Sequence, residues 1–240
     1  MEYVYKGTKV FYKIIGDGGC QVVFLHGWGG SSDSFSFICP HLDFNYKALF
    51  IDFPPFGESG EPIEPFTIFD YSNIVEDIMT QNGFIKPLIV AHSFGGRVAI
   101  ILGSRGIAGK LVLTASAGLK PRRGLLYHIK VCKYKFLKKI GIKTDAGSSD
   151  YRQLSPIMKK TFVNIVSTNL EKYAIHINVP TILFWGKKDK DTPFYMAKRL
   201  KKLIPDCEII ASSKLGHFCY IENYLQFVAV INSFINTPKL

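Results

Sequence analysis

Six short apolar runs limit what this chain can fold into: "QVVFLHG", "ALFIDF", "LIVAHS", "KLVLTAS", "TILFWG" and "CEIIAS". Each is almost unbroken in β-branched, aromatic and aliphatic residues, as strands covered on both faces are. Between two of them, Tyr71, Ile74, Val75, Ile78 and Met79 recur at helical spacing; near the end Ile221, Tyr224, Leu225, Val228, Ile231 and Ile235 do the same. Strands alternating with helices imply an α/β architecture, a mostly parallel central sheet with helices on both faces. These stripes read as core packing. Ahead of the runs, "YVY" and "KVFYKII" flank Gly7-Thr8 and read as an antiparallel hairpin.

The chain has 240 residues and is 47% hydrophobic, which suits one globular domain with a large core. No apolar run reaches the roughly 18 residues of a membrane span. The start, "MEYVYKGTKV", lacks the basic and apolar regions of a signal peptide. Cys20, Cys39, Cys132, Cys207 and Cys219 are scattered without paired spacing. The expectation is a cytoplasmic protein with reduced thiols, with neither a disulfide frame nor a metal site.

The alternation breaks once. After "KLVLTASAGLK", Leu119 to His176 stand where one short helix would suffice. Leu125, Ile129, Cys132, Phe136 and Ile140 lie at helical spacing there, and "MKKTFVNIV" follows. The expected organisation is a core of residues 1–118 and 177–240 with a helical lid, 119–176, inserted over the end of the sheet where strands finish. Open parallel sheets bind ligands at that end.

The chemistry starts at "AHSFGG". Ser93 follows the strand "LIVAH" and precedes the helical pattern "FGGRVAIILG", the context of a nucleophile on a sharp strand-to-helix turn. Such a turn tolerates only small residues two places before and after the serine, here Ala91 and Gly95. A helix N-cap is the plainer reading of the same serine. "HGWGG", His26 to Gly30, follows the strand "VVFL" and gives a glycine-rich turn. Acyl transfer needs two N–H donors at the developing oxyanion, and the natural pair is the backbone N–H of Trp28 and of Phe94.

With "DFPPFGES", "WGKKDKDTP" and "LGHFCYIE", these pieces stand in an order that resembles the α/β-hydrolase fold family, in particular its small serine esterases with a lid. Ala91 replaces the first elbow glycine and Pro55 stands where the family often has glycine; neither change removes a functional group. A serine hydroxyl needs a base, and the base a third group to orient it. His217, on the loop after the last strand, fits the chain order Ser, Asp, His of this fold. The resemblance places the acid in a G-x-x-D-x-x-x-P spacing, matched by Gly186, Asp189 and Pro193. Asp191, the nearest competitor, is expected to cap a helix starting near Pro193.

The net charge is +11, and its distribution is uneven. Residues 119–176 hold thirteen Lys/Arg against three Asp/Glu, a local net of +10, which leaves +1 for the rest. "PRRGLLYHIKVCKYKFLKKIGIK" is a cationic amphipathic stretch. It reads as a solvated face, or as a contact for an acidic carrier protein or an anionic surface. No nucleic-acid motif accompanies it. The expectation is a cofactor-free serine hydrolase acting on a small-molecule acyl ester through Ser93, His217 and Asp189. Esterases that demethylate an acyl chain on an acidic carrier also combine an H-G-W-G loop with a basic lid. A lyase or perhydrolase on the same fold, and a non-catalytic binder, are the alternatives.

Overall fold

The computed structural model describes residues 1–122 and 149–236. The apolar runs become strands β3 (Cys20–Leu25), β4 (Tyr46–Ile51), β5 (Leu88–His92), β6 (Lys110–Thr114), β7 (Thr181–Gly186) and β8 (Cys207–Ser212). They follow the hairpin strands β1 (Glu2–Tyr5) and β2 (Thr8–Ile15). The eight form one sheet in the order β1-β2-β4-β3-β5-β6-β7-β8. β2 pairs antiparallel with both β1 and β4, and every other pairing is parallel. The hairpin turn sits one residue earlier than expected: Tyr5 pairs with Thr8, and Lys6 and Gly7 form the turn with φ of 46° and 73°. Two successive positive φ angles define a type I′ turn, whose twist matches the strands it joins.

Both sheet faces are covered. Val23 and Leu25 of β3 pack into one apolar cluster with α1 (Ile68–Gln81), α2 (Phe94–Ser104) and, among residues further along, Met196, Ala197 and Leu200. Val22 and Phe24, pointing the other way as the pleat requires, join a second cluster with Ile38, Phe227, Val228 and Ile231. Each fully buried aliphatic or aromatic side chain contributes about 1.5–3 kcal/mol by leaving water. The predicted stripe Tyr71, Ile74, Val75, Ile78, Met79 is buried in α1, which a Thr67–Asp70 capping box starts.

Between β6 and β7 the described residues form α3 (Ser149–Gln153), α4 (Pro156–Ser167) and α5 (Glu171–Ala174). Ser155 caps α4 through the Met158 N–H, with Pro156 in its first turn. Side chains fasten α4 to main-chain atoms of the core. The Phe66 N–H donates to Thr161 Oγ1 at 3.0 Å, and Asn164 Nδ2 donates to the Phe66 carbonyl at 3.2 Å. Arg97 Nη1, on α2, donates to the carbonyls of Ile165 and Thr168 at 2.9 and 3.1 Å. The stripe Leu125, Ile129, Cys132, Phe136, Ile140 and most of the cationic stretch lie outside the described residues.

After β7 comes α6 (Tyr195–Leu203), and after β8 come α7 (Cys219–Glu222) and α8 (Tyr224–Asn236). The sequence predicts one continuous terminal helix, but the chain breaks at Asn223, with φ −139° and ψ 59°. The break turns α8, so Phe227, Val228, Ile231 and Phe234 form its buried face while Ile221 and Leu225 stay exposed. Among the described residues no helix is long and apolar enough to cross a membrane.

Parallel packing leaves little room where α2 begins. A Cβ placed on Gly95 would fall inside the Leu25 and His26 carbonyls of the neighbouring strand end, which cannot yield as a side chain would. Gly95→Ala is expected to destabilise the fold by about 3 kcal/mol, a drop of roughly 6–12 °C in Tm. Gly29→Ala, where φ is 81° but the space is open, is expected to cost only about 1 kcal/mol. Thermal unfolding of the two variants side by side checks the ranking.

Candidate active site

Four chain segments meet beyond the carboxyl ends of the parallel strands. Ser93, between β5 and α2, has φ 47° and ψ −107°, a conformation that costs on the order of 1–3 kcal/mol and needs outside support. Its N–H donates to the Thr114 carbonyl at 3.1 Å, and its own carbonyl accepts from Gly96 and Ala117 at 3.0 Å each. The side chain makes no helix-capping bond. Instead Ser93 Oγ lies 3.1 Å from His217 Nε2. Ala91 is fully buried, opposite Leu25 on β3 and Leu113 on β6, so its methyl fits where the motif usually has glycine.

His217 Nδ1 is 2.8 Å from Asp189 Oδ2. Asp189 is buried, and its Oδ1 accepts the N–H groups of Asp191 and Thr192, both at 2.8 Å. Burial alone would raise this carboxyl's pKa. The bonds from His217 and Thr192 outweigh it and hold the pKa below the usual carboxylate range. Thr192 Oγ1 lies 2.7 Å from Asp189 Oδ2 and 3.0 Å from the Ala115 carbonyl.

Asp191 is exposed and caps nothing: α6 begins at Tyr195, after Phe194, with no side-chain cap. The helix does start near Pro193, two residues beyond it, but Asp191 is not its cap, because the Asp189–Thr192 turn uses that stretch to hold a carboxylate. Asp189, Asp191 and His217 are the one cluster of metal-ligating types among the described residues. Asp189 and His217 direct their lone pair and proton at each other, which leaves a single carboxylate, too few ligands for a divalent cation.

Gly27 to Gly30 close a turn through a 3.0 Å bond, with Gly29 at φ 81°, so Trp28 sits at its tip. Phe94 is the first residue of α2, where an N–H has no partner within the helix. Trp28, Ser93, Leu154, Phe162, His217 and Phe218 line a cavity of about 530 Å³, a size suited to a small-molecule ligand. The Trp28 ring meets Phe56, Phe94 and Phe162 edge-on, at 4.9, 5.5 and 5.3 Å.

The sequence did not reveal the residues that brace this arrangement. Asp52 Oδ1 accepts the Ser32 N–H at 2.5 Å and Oδ2 accepts that of Glu58 at 2.8 Å, so one carboxylate joins the two loops after β3 and β4. His26 Nε2 accepts the Phe53 N–H at 2.9 Å, which leaves Nδ1 to donate to the Gly27 carbonyl at 2.7 Å and fixes the tautomer. His92 Nε2 is 3.1 Å from the His217 carbonyl. Only the glycine-flanked loops hinted at these partners, because the bonds from Ser32 to Asp52, from Phe53 to His26 and between His92 and His217 join residues 20 to 125 positions apart.

A family model described as the alpha/beta hydrolase fold matches residues 21–114. The YisY protein of Bacillus subtilis (strain 168), an AB hydrolase superfamily protein, is 25% identical over 96% of this chain and 96% of its own length. The pimeloyl-[acyl-carrier protein] methyl ester esterase of Wigglesworthia glossinidia brevipalpis is 26% identical over 94% of this chain and 97% of its own. An esterase from Exiguobacterium antarcticum superposes with a TM-score of 0.77 at 21% identity, covering 96% and 97% of the two chains. The chain has the α/β-hydrolase fold, and the proteins it resembles include hydrolases and esterases.

Two buried histidines give the fold a pH dependence. Burial pushes His26 down to about 4; burial, with His217 nearby, pushes His92 down to about 3. Both stay neutral when folded and gain protons more readily when unfolded. Their contribution is therefore complete above pH 6.5 and lost as pH falls toward 4 and 3, on the order of 3–5 kcal/mol each. Tm measured from pH 7 to pH 4 is expected to fall, and His92→Gln, which preserves a donor at the Nε2 position, is expected to flatten the decline.

Proposed function

We propose that the protein is a serine esterase that cleaves small or medium acyl esters through an acyl-enzyme, without a cofactor. Ser93 attacks the carbonyl carbon, His217 takes the hydroxyl proton and later delivers it to the leaving alcohol, and Asp189 holds the His217 ring and balances its charge. The N–H groups of Trp28 and Phe94 receive the oxyanion. Water then repeats the sequence to release the acid. The observation that carries this reading is the chain Asp189–His217–Ser93, with steps of 2.8 and 3.1 Å, ending on a strained serine in a cavity. Residues 119–176 act as a lid, with Phe162 and Leu154 forming the cavity wall on that side. Free thiols at Cys20, Cys39, Cys207 and Cys219 fit a reducing, cytoplasmic setting.

A fluorophosphonate probe is expected to label the parent protein and not Ser93→Ala, with kcat on p-nitrophenyl esters reduced by about 10⁴ or more. Asp189→Asn is expected to cost up to about 10⁴ and Asp191→Asn little, because only Asp189 touches the base. kcat/KM is expected to fall on the acid side, because a general base must start unprotonated, while Asp189, held below the usual range, stays ionised. Persistent labelling of Ser93→Ala, or a larger loss in Asp191→Asn, overturns the assignment. Recovery of the acid and the alcohol separates hydrolysis from lyase or perhydrolase chemistry.

The charge imbalance favours one narrower reading, an ester carried by an acidic protein or presented at an anionic surface. Its support is the +10 of residues 119–176 and the similarity to esterases named for an acyl-carrier-protein substrate. The combined variant Lys130→Glu, Lys133→Glu, Lys138→Glu, Lys139→Glu is expected to lose turnover of a carrier-linked methyl ester and to keep turnover of a small neutral ester. The carrier reaction alone is expected to weaken steeply with salt, since exposed charges act over about 8 Å at physiological ionic strength. Equal salt dependence for the two substrates returns these lysines to a solvated face.

A further inference from the structure

Arg97 lies one turn along α2 from Ser93 and is 7% exposed. A guanidinium carries five N–H donors. Both of its hydrogen bonds leave from Nη1, to the Ile165 and Thr168 carbonyls at the end of α4. Among the described residues, Nε and Nη2 meet no protein acceptor and no carboxylate pairs with the charge. Burial pushes the pKa down to about 10, so the group is a cation at neutral pH. A buried cation facing only carbonyl dipoles is incompletely compensated.

Arg97 lines a second cavity, of about 290 Å³, with Leu119, Pro121, Val166 and Met196. Ala117, Asp191 and Thr192 border both this cavity and the one that holds Ser93. The second cavity is thus an apolar space with a guanidinium in its wall, adjoining the serine. We propose that it is a subsite for the far end of the acyl chain, and that Arg97 there receives a carboxylate, so that the preferred substrates are monoesters of dicarboxylic acids. The planar fork of Nε and Nη2 suits a carboxylate held by two parallel bonds. Asp191 on the shared wall opposes an anion, but it is exposed and screened by water, whereas Arg97 acts from the interior.

This proposal rests on the esterase reading for its substrates, and its test does not need turnover. Calorimetric titration of Ser93→Ala compares the monomethyl esters of dicarboxylic acids from glutarate to suberate with the methyl esters of monocarboxylic acids of equal length. At the chain length that spans the two cavities, the acid-terminated ester is expected to bind about tenfold to a hundredfold tighter. Arg97→Gln in the same background is expected to abolish that preference, and Asp191→Asn to increase it. Val166→Trp, which fills the cavity and leaves the Arg97 bonds intact, is expected to weaken the acid-terminated ester, and it decides the matter if Arg97→Gln does not fold. Equal binding of the two series, or a preference that survives Arg97→Gln or Val166→Trp, overturns the subsite. Loss of fluorophosphonate labelling bears only on the esterase reading.

Discussion

The site depends on one residue being held where its backbone would not go by itself. Ser93 has a positive φ, and three hydrogen bonds to its own peptide groups hold it there, two of them to the end of β6 and the loop beyond. Those bonds exist because β5 and β6 run parallel in register, with His92 opposite Thr114. The sheet thus stores strain at a single point, and the close approach of Gly95 to the β3 carbonyls lets α2 start at once from that point. Strand pairing, helix placement and the direction of one hydroxyl are a single arrangement.

Around it, polar groups are assigned by burial. Asp189 remains an anion in a buried place because its oxygens are filled by two backbone N–H groups and a ring nitrogen. His26 and His92, equally buried, have only backbone groups bonded to their rings among the described residues, and burial outweighs the pull of Asp52 and Asp189 nearby, so they are neutral. The same ring type therefore braces loops at two positions and faces a carboxylate at a third. What separates them is which hydrogen bonds the surroundings supply.

The sheet was legible because both-sided burial leaves an unbroken apolar run, and six such runs became six strands. Ser93, Asp189 and His217 came from turn chemistry and chain order, and the fold brings them within hydrogen-bonding distance. The errors have local causes. The hairpin turn shifted because Lys6 adopts a left-handed conformation that its side chain does not advertise. The terminal helix was read as one stripe, but Asn223 interrupts it and rotates the face that packs. Asp191 looked like a cap by spacing, yet the helix begins at Tyr195 after Phe194, beyond its reach as a cap, with no side-chain capping bond. Asp52 and Arg97 were invisible because their partners, Ser32 and Ile165, lie 20 and 68 residues away.

The fastening of α4 is one-sided in what it demands of residue identity. At Phe66 the core offers only a peptide N–H and a carbonyl, which almost any amino acid supplies. At the other end α4 offers only the carbonyls of Ile165 and Thr168, and the core must bring an arginine. The joint is therefore written in three side chains, Thr161, Asn164 and Arg97, while their counterparts are free to drift. Over evolutionary time such a joint would let the helix exchange its cavity-facing residues, and the protein its substrates, without renegotiating the attachment.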